Sequence, residues 1–172
     1  PFVGGRYAPS RVLRLYFTLV MNTSPTRAPR TSIETCPGDV STPDPKARAA
    51  KILEFSSMPA TSRHHWGTDF DINNLNNSYF NTRDGKRIYD WLTQHAPQYG
   101  FCQVYSAKGA DRPTGYEEEK WHWSYMPVAS WYLKQYPIDV GYERIAGFEG
   151  ASAAKDIDVI KNYVQGINPE CR

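Results

Sequence analysis

Apolar and polar positions follow no period through the first 45 residues, where Pro25, Pro29, Pro37, Pro43 and Pro45 are spaced by serine and threonine. Only residues 12–20 form an apolar run there, broken by Arg14, and it reads as a strand. Regular patterning begins at Asp44. An aspartate cap, Pro45 in the first helical position, and Ala49, Ile52 and Leu53 on one face predict a helix. The loop "SSMPATS" follows, and then "TDFDIN", whose alternation predicts a short strand over residues 68–73. Ile88, Trp91, Leu92 and His95 recur at helical spacing, which predicts a helix over 84–96, stopped by Pro97. "FCQVYS" reads as a strand, and "AKGADRPTGYEEE" as a long turn-rich loop.

The next stretch alternates cleanly. In "KWHWSYM" Trp121, Trp123 and Tyr125 fall on one face and His122, Ser124 and Met126 on the other. Pro127 opens a short helix through Tyr136. A last helix is predicted over 152–165, with Ser152 as cap, Ile157, Ile160 and Val164 as its stripe, and Gly166 closing it. Strands and helices without a βαβ rhythm point to an α+β fold, a small antiparallel sheet flanked by helices. With 172 residues the expectation is one domain over 1–172, its first 45 residues irregular and 46–172 its core.

Composition changes this picture only by exclusion. A net charge of +2 gives no footing for nucleic acid, and no apolar run approaches the roughly 20 residues of a membrane span. Aromatic residues make up 14% of the chain, and the five tryptophans are expected around one cleft, with core packing as the competing role of each. Cys36, Cys102 and Cys171 match no CxxC zinc pattern. A Cys102–Cys171 bridge and two free thiols stand as equal alternatives.

Candidate chemistry gathers in two places. "SRHHWGTDFD" holds two histidines and two aspartates in ten residues, and "EEEKWHW" follows about fifty residues on. On a helix His64 and Asp71, seven apart, would be separated by about 10 Å, too far for one zinc with bonds near 2 Å. A turn at Gly67 would instead bring Asp71 back beside His64. His122 is the natural third ligand. His95 competes with it but belongs to a buried helix face, and spacing alone leaves the choice between His64 and His65 open. Two histidines and one aspartate leave a fourth position for water, and Glu119, three residues before His122, is the best-placed general base. Glu117 and Glu118 read as a solvated turn.

S-x-H-x-x-G-x-x-x-D (Ser62, His64, Gly67, Asp71) followed by E-x-W-H (Glu119, Trp121, His122) resembles the M15 family of zinc D-Ala-D-Ala carboxypeptidases, including the VanY-type enzymes. That family shares a wider group with lysostaphin-type peptidases and the hedgehog domain. The resemblance covers roughly residues 55–165. It implies a hedgehog/D-Ala-D-Ala-peptidase-like fold, one zinc ion per chain held by His64, Asp71 and His122, and Glu119 as catalytic base. It also implies peptidoglycan stem peptides ending in D-Ala-D-Ala as substrate, a periplasmic or cell-envelope location, and a monomer. The family often has a small residue where Asp69 stands; Asp69 is a rival ligand, a partner of a histidine, or a substrate contact. The family's upstream arginine in a "YRS"-like segment is only poorly matched by "GGRYAPS", so Arg6 is a weak counterpart. Arg63 and Arg112 are the nearest candidates for binding a terminal carboxylate, each expected at the surface. Ser62 is a candidate hydrogen-bond partner of the substrate, and Trp121, Trp123 and Tyr125 are candidates for lining its cleft. Two other readings are an endopeptidase with the same site and a zinc-stabilised binding module without catalysis.

Overall fold

The structure is a computed structural model and describes residues 44–54 and 56–172; the strand expected over 12–20 and Arg6 lie outside these. Helix α1, Pro45–Ile52, starts as the pattern requires: the Asp44 carboxylate accepts hydrogen bonds from the Lys46 and Ala47 amides, satisfying two donors that have no partner in the first turn. Its buried face is Ala49, continued by Leu53 just beyond the helix.

Among the described residues three short strands form one antiparallel sheet in the order β1-β3-β2. They are β1, Asp69–Asp71; β2, Phe101–Gln103; and β3, His122–Tyr125. Register decides what each face carries. Asp71 pairs with His122, Asp69 with Ser124, and Cys102 with Ser124, so these five side chains share one face. Phe70, Trp123, Phe101, Tyr125 and Gln103 take the other. The architecture is therefore α+β, with a small antiparallel sheet and flanking helices.

Helix α2, Arg83–His95, covers the aromatic face through Leu92 and Ile88, which pack with Trp123 and Phe101. Its pattern was only partly right. Trp91 is 53% exposed, and Tyr89 packs inward instead, its hydroxyl donating to Gln103 Oε1 at 2.7 Å. Helix α3, Met126–Asp139, runs past the expected end at Tyr136 and contains Pro137. The Val140 amide bonds back to the Tyr136 carbonyl at 2.8 Å, so the turn closes despite the missing proline N–H. Ala129, Leu133 and Tyr136 form its buried stripe.

The last predicted helix is broken. Helix α4 is only Ala153–Asp156, Ser152 makes no side-chain cap bond, and a π-helical turn follows at Ile160–Val164. Asp158 takes a left-handed φ of 50° between them, and its carboxylate accepts from the Tyr142 hydroxyl. The stripe survives the break: Ile157, Ile160 and Val164 all join the main core with Leu53, Val104 and Ile167. The C-terminal end is tied to β2 by the Asn168 amide on the Val104 carbonyl, 2.8 Å, and by a Cys102–Cys171 disulfide with a Cα–Cα distance of 5.7 Å.

Candidate metal centre

The first half of the site is built by a tight reversal. A 3-10 turn, Arg63–Trp66, ends at Gly67 with φ 69°, a conformation that costs a residue with a Cβ roughly 1–2 kcal/mol. The Gly67 amide bonds to the His64 carbonyl at 3.1 Å, and the chain turns directly into β1. His64 Nε2 and Asp71 Oδ1 consequently stand 3.4 Å apart despite seven residues of separation.

Strand pairing supplies the other half. Because Asp71 is opposite His122 in the β1–β3 ladder, the His122 ring meets both: its Nδ1 lies 3.6 Å from Asp71 Oδ1, and its ring centroid is 4.5 Å from that of His64. One donor atom each from His64, Asp71 and His122 falls within 4.8 Å of the others, a set able to hold a metal ion. Two imidazoles and a carboxylate are the donor types zinc accepts, and three protein ligands leave a further position open. His122 is buried, while the side chains of His64 and Asp71 keep 40% and 33% exposure, so the group faces solvent on one side only. That side opens into a cavity of about 550 Å³, lined by Ser62, Tyr105, Tyr116, Glu119 and Trp121 among others.

Glu119 stands beside the three. Its Oε2 is 3.1 Å from His122 Nδ1, and its backbone is fixed by a bond from its amide to the Tyr105 carbonyl at 2.9 Å. Gln103 Nε2 donates to the Glu119 carbonyl at 3.2 Å. Asn77 clamps the same turn, donating to the Glu118 carbonyl at 2.7 Å and accepting from the Lys120 amide at 3.1 Å. Nothing local marks Asn77 or Gln103 for this role, since "NNLNNS" reads as a polar loop and Gln103 as one position of a strand. Only the long-range fold gives them this role.

Asp69 lies beneath the group, with its side chain fully buried. Its Oδ2 receives bonds from Arg63 Nε and His122 Nε2, each at 2.9 Å, and its Oδ1 receives the Ser124 hydroxyl at 2.6 Å. Burial alone would raise its pKa, but the bond from His122 and the Arg63 charge hold the carboxyl well below its usual range. His122 responds in the opposite sense. Burial would depress it, but the bonds and charges of Asp69 and Glu119 push it up to about 9 in the metal-free protein.

Several expected site residues differ from the expectation in exposure or position, although Arg63 does line the cavity. Arg63 and Arg112 are not at the surface, being 1% and 2% exposed. Arg63 is held by Asp69 and Ser124 and lies 4.4 Å over the Trp66 ring. Arg112 donates to the Ser106, Thr114 and Tyr116 carbonyls and so braces the long loop. Trp123 and Tyr125 point away from the cavity, Trp123 into the small core with Leu92 and Tyr125 against Phe101. Trp121 does line the cavity, because β3 begins one residue after it and the alternation does not extend to it. Trp91 and Trp131 are exposed and do not line that cavity, so the tryptophans do not gather around one cleft. His95 packs its ring on Trp91 at 5.2 Å, and His65 is not among the three converging donors.

The family model for VanY, described as D-alanyl-D-alanine carboxypeptidase, matches residues 23–128. The chain belongs to the VanY family. No curated protein and no solved structure matches it. The VanY match spans both halves of the metal-competent group and the Glu119 turn. Membership makes this a peptidase of the D-alanyl-D-alanine carboxypeptidase type, with a D-Ala-D-Ala peptide as its class of substrate, in a family that is typically metal-dependent. Among the described residues no helix is long and apolar enough to cross a membrane.

Proposed function

We propose that this VanY-family chain is a zinc-dependent carboxypeptidase that removes the terminal D-alanine from peptidoglycan stem peptides. The observation that carries the reading is the convergence of His64, Asp71 and His122 within 4.8 Å, with Glu119 at 3.1 Å from one of them. A zinc ion held by these three residues would lower the pKa of a water towards 7 and polarise the scissile carbonyl. Glu119 takes the proton from the attacking water and delivers it to the leaving amine of D-alanine. Its backbone is fixed by the bonds at its amide and carbonyl, and Glu119 lines the cavity onto which the group opens. Trp121, Tyr105, Tyr116 and Ser62 line the cavity; in this reading the peptide end lies there, with Ser62 as a hydrogen-bond partner.

A cell-envelope location belongs to the same proposal. Its support is the substrate class together with the Cys102–Cys171 disulfide, since such bonds persist in oxidising compartments. Glu119 also speaks against a zinc-stabilised binding module, because binding alone needs no base.

One observation favours an endopeptidase as the second reading. A carboxypeptidase holds a terminal carboxylate, most simply with arginine; Arg112 is engaged by loop carbonyls and Arg63 by Asp69 and Ser124, which leaves only Arg63 Nη1, without a hydrogen-bond partner among the described residues, for that task at the cavity. Zinc uptake and cleavage of a pentapeptide ending in D-Ala-D-Ala, free or amidated at its C-terminus, test the two. The carboxypeptidase reading expects cleavage of the free peptide only, with His122→Ala losing both zinc and cleavage. Equal cleavage of the amidated peptide would transfer the site to the endopeptidase.

A further inference from the structure

Asp69 touches both histidines, in two different ways. Its side-chain Oδ2 is 2.9 Å from His122 Nε2. Its main-chain oxygen is 3.2 Å from His64 Nδ1. A neutral imidazole carries one proton, so the nitrogen that donates to Asp69 leaves the other as the lone-pair donor. In the neutral rings the lone pairs are then on His64 Nε2 and His122 Nδ1, the latter also 3.1 Å from Glu119 Oε2. These are the two that lie nearest Asp71 Oδ1, at 3.4 and 3.6 Å.

We infer that Asp69 is a positioning residue that decides which nitrogen each histidine turns toward the metal, His64 through its carbonyl and His122 through its carboxylate. The inference rests on the zinc reading of the site. Asp69 is not itself a ligand, because both its oxygens are engaged. Oδ2 serves Arg63 and His122, and Oδ1 serves Ser124 and Thr68. Arg63 closes the frame by donating from Nη2 to the Ser124 hydroxyl at 2.9 Å. This buried frame keeps the carboxylate from rotating away from His122.

The two routes respond differently to substitution, which makes the device testable. Replacing the side chain removes the contact to His122 and leaves the carbonyl on His64 untouched. The experiment follows the histidine ring N–H signals of ¹⁵N-labelled protein, with and without zinc, and measures zinc affinity by competition with a chromophoric chelator. In Asp69→Ala the protected His122 Nε2–H signal should disappear, the His64 Nδ1–H signal should persist, and affinity should fall about 10–100-fold. Asp69→Asn, which keeps an acceptor oxygen and the shape, should retain the His122 signal and recover most of the affinity. Thr68→Val, which removes one bond to Asp69 and leaves those of Arg63, Ser124 and His122, should lose far less affinity than Asp69→Ala and keep the His122 signal. Parent-like affinity and ring signals in Asp69→Ala would overturn the inference. So would an equal loss in Thr68→Val, or, should Asp69→Ala not fold, a lost His122 signal with full affinity in Asp69→Asn. If the parent takes up no zinc, the zinc reading itself fails, while the ring signals of the metal-free protein still judge Asp69.

Discussion

Asp69 and His122 form a buried pair whose shifts have opposite signs, and together they set a pH window for the metal-free protein. A carboxyl depressed below its ordinary 3.8 contributes stability above that value and loses it as pH falls through the folded pKa. A histidine raised from 6.5 to about 9 contributes fully below 6.5 and loses that contribution as pH rises through 9. Metal-free protein is therefore predicted to be more stable to urea at about pH 5.5 than at about pH 9.5 on account of this pair. His122→Ala should flatten that part of the profile, and an unchanged slope in the variant would contradict the assignment. The same protonation competes with metal. Zinc uptake near neutral pH is predicted to release a proton from His122, seen as a heat of binding that changes with the ionisation enthalpy of the buffer; a heat independent of the buffer would contradict it.

At the scale of elements, the Gly67 reversal and the β1–β3 register create the site. Gly67→Ala meets no atom within 4 Å, so its whole cost is the left-handed φ. It is predicted to lower stability by about 1–2 kcal/mol and to weaken zinc binding by loosening His64 against Asp71. An unchanged urea midpoint and affinity would mean that the turn does not hold the ligands. These elements were legible in the sequence. Alternation in "TDFDIN" and "KWHWSYM" marked the two strands, the glycine marked the turn, and the opposed faces put His122 on the side of Asp71. What was hidden depended on partners remote in the chain. The burial of Arg63 needs Asp69 and Ser124, and the inward turn of Tyr89 needs Gln103. The break at Asp158 is stabilised by Tyr142, sixteen residues earlier, which no local period reports.

For the whole molecule, the sheet separates two environments. One face carries the metal-competent group and the disulfide, and the other carries Phe70, Phe101, Tyr125 and Trp123 under α2. The Cys102–Cys171 bond closes a loop of 69 residues that contains Glu119 and His122, and so ties the tail to the sheet. Cys171→Ser is predicted to lower unfolding stability by about 2–4 kcal/mol. Parent and variant of equal stability under non-reducing conditions would show that the bond contributes nothing. The sequence alone left this pairing even with two free thiols, since only the fold brings position 171 to β2.

The proposed mechanism makes Glu119 the base of a carboxypeptidase built on His64, Asp71 and His122. Its most direct test is D-alanine release from a muramyl-type pentapeptide ending in D-Ala-D-Ala, using zinc-loaded parent and zinc-loaded Glu119→Gln in parallel. The parent is expected to release a single D-alanine, and the variant to lose about 10²–10⁴-fold of that activity at equal zinc content. A variant as active as the parent, or a zinc-loaded parent that releases no D-alanine, would contradict it.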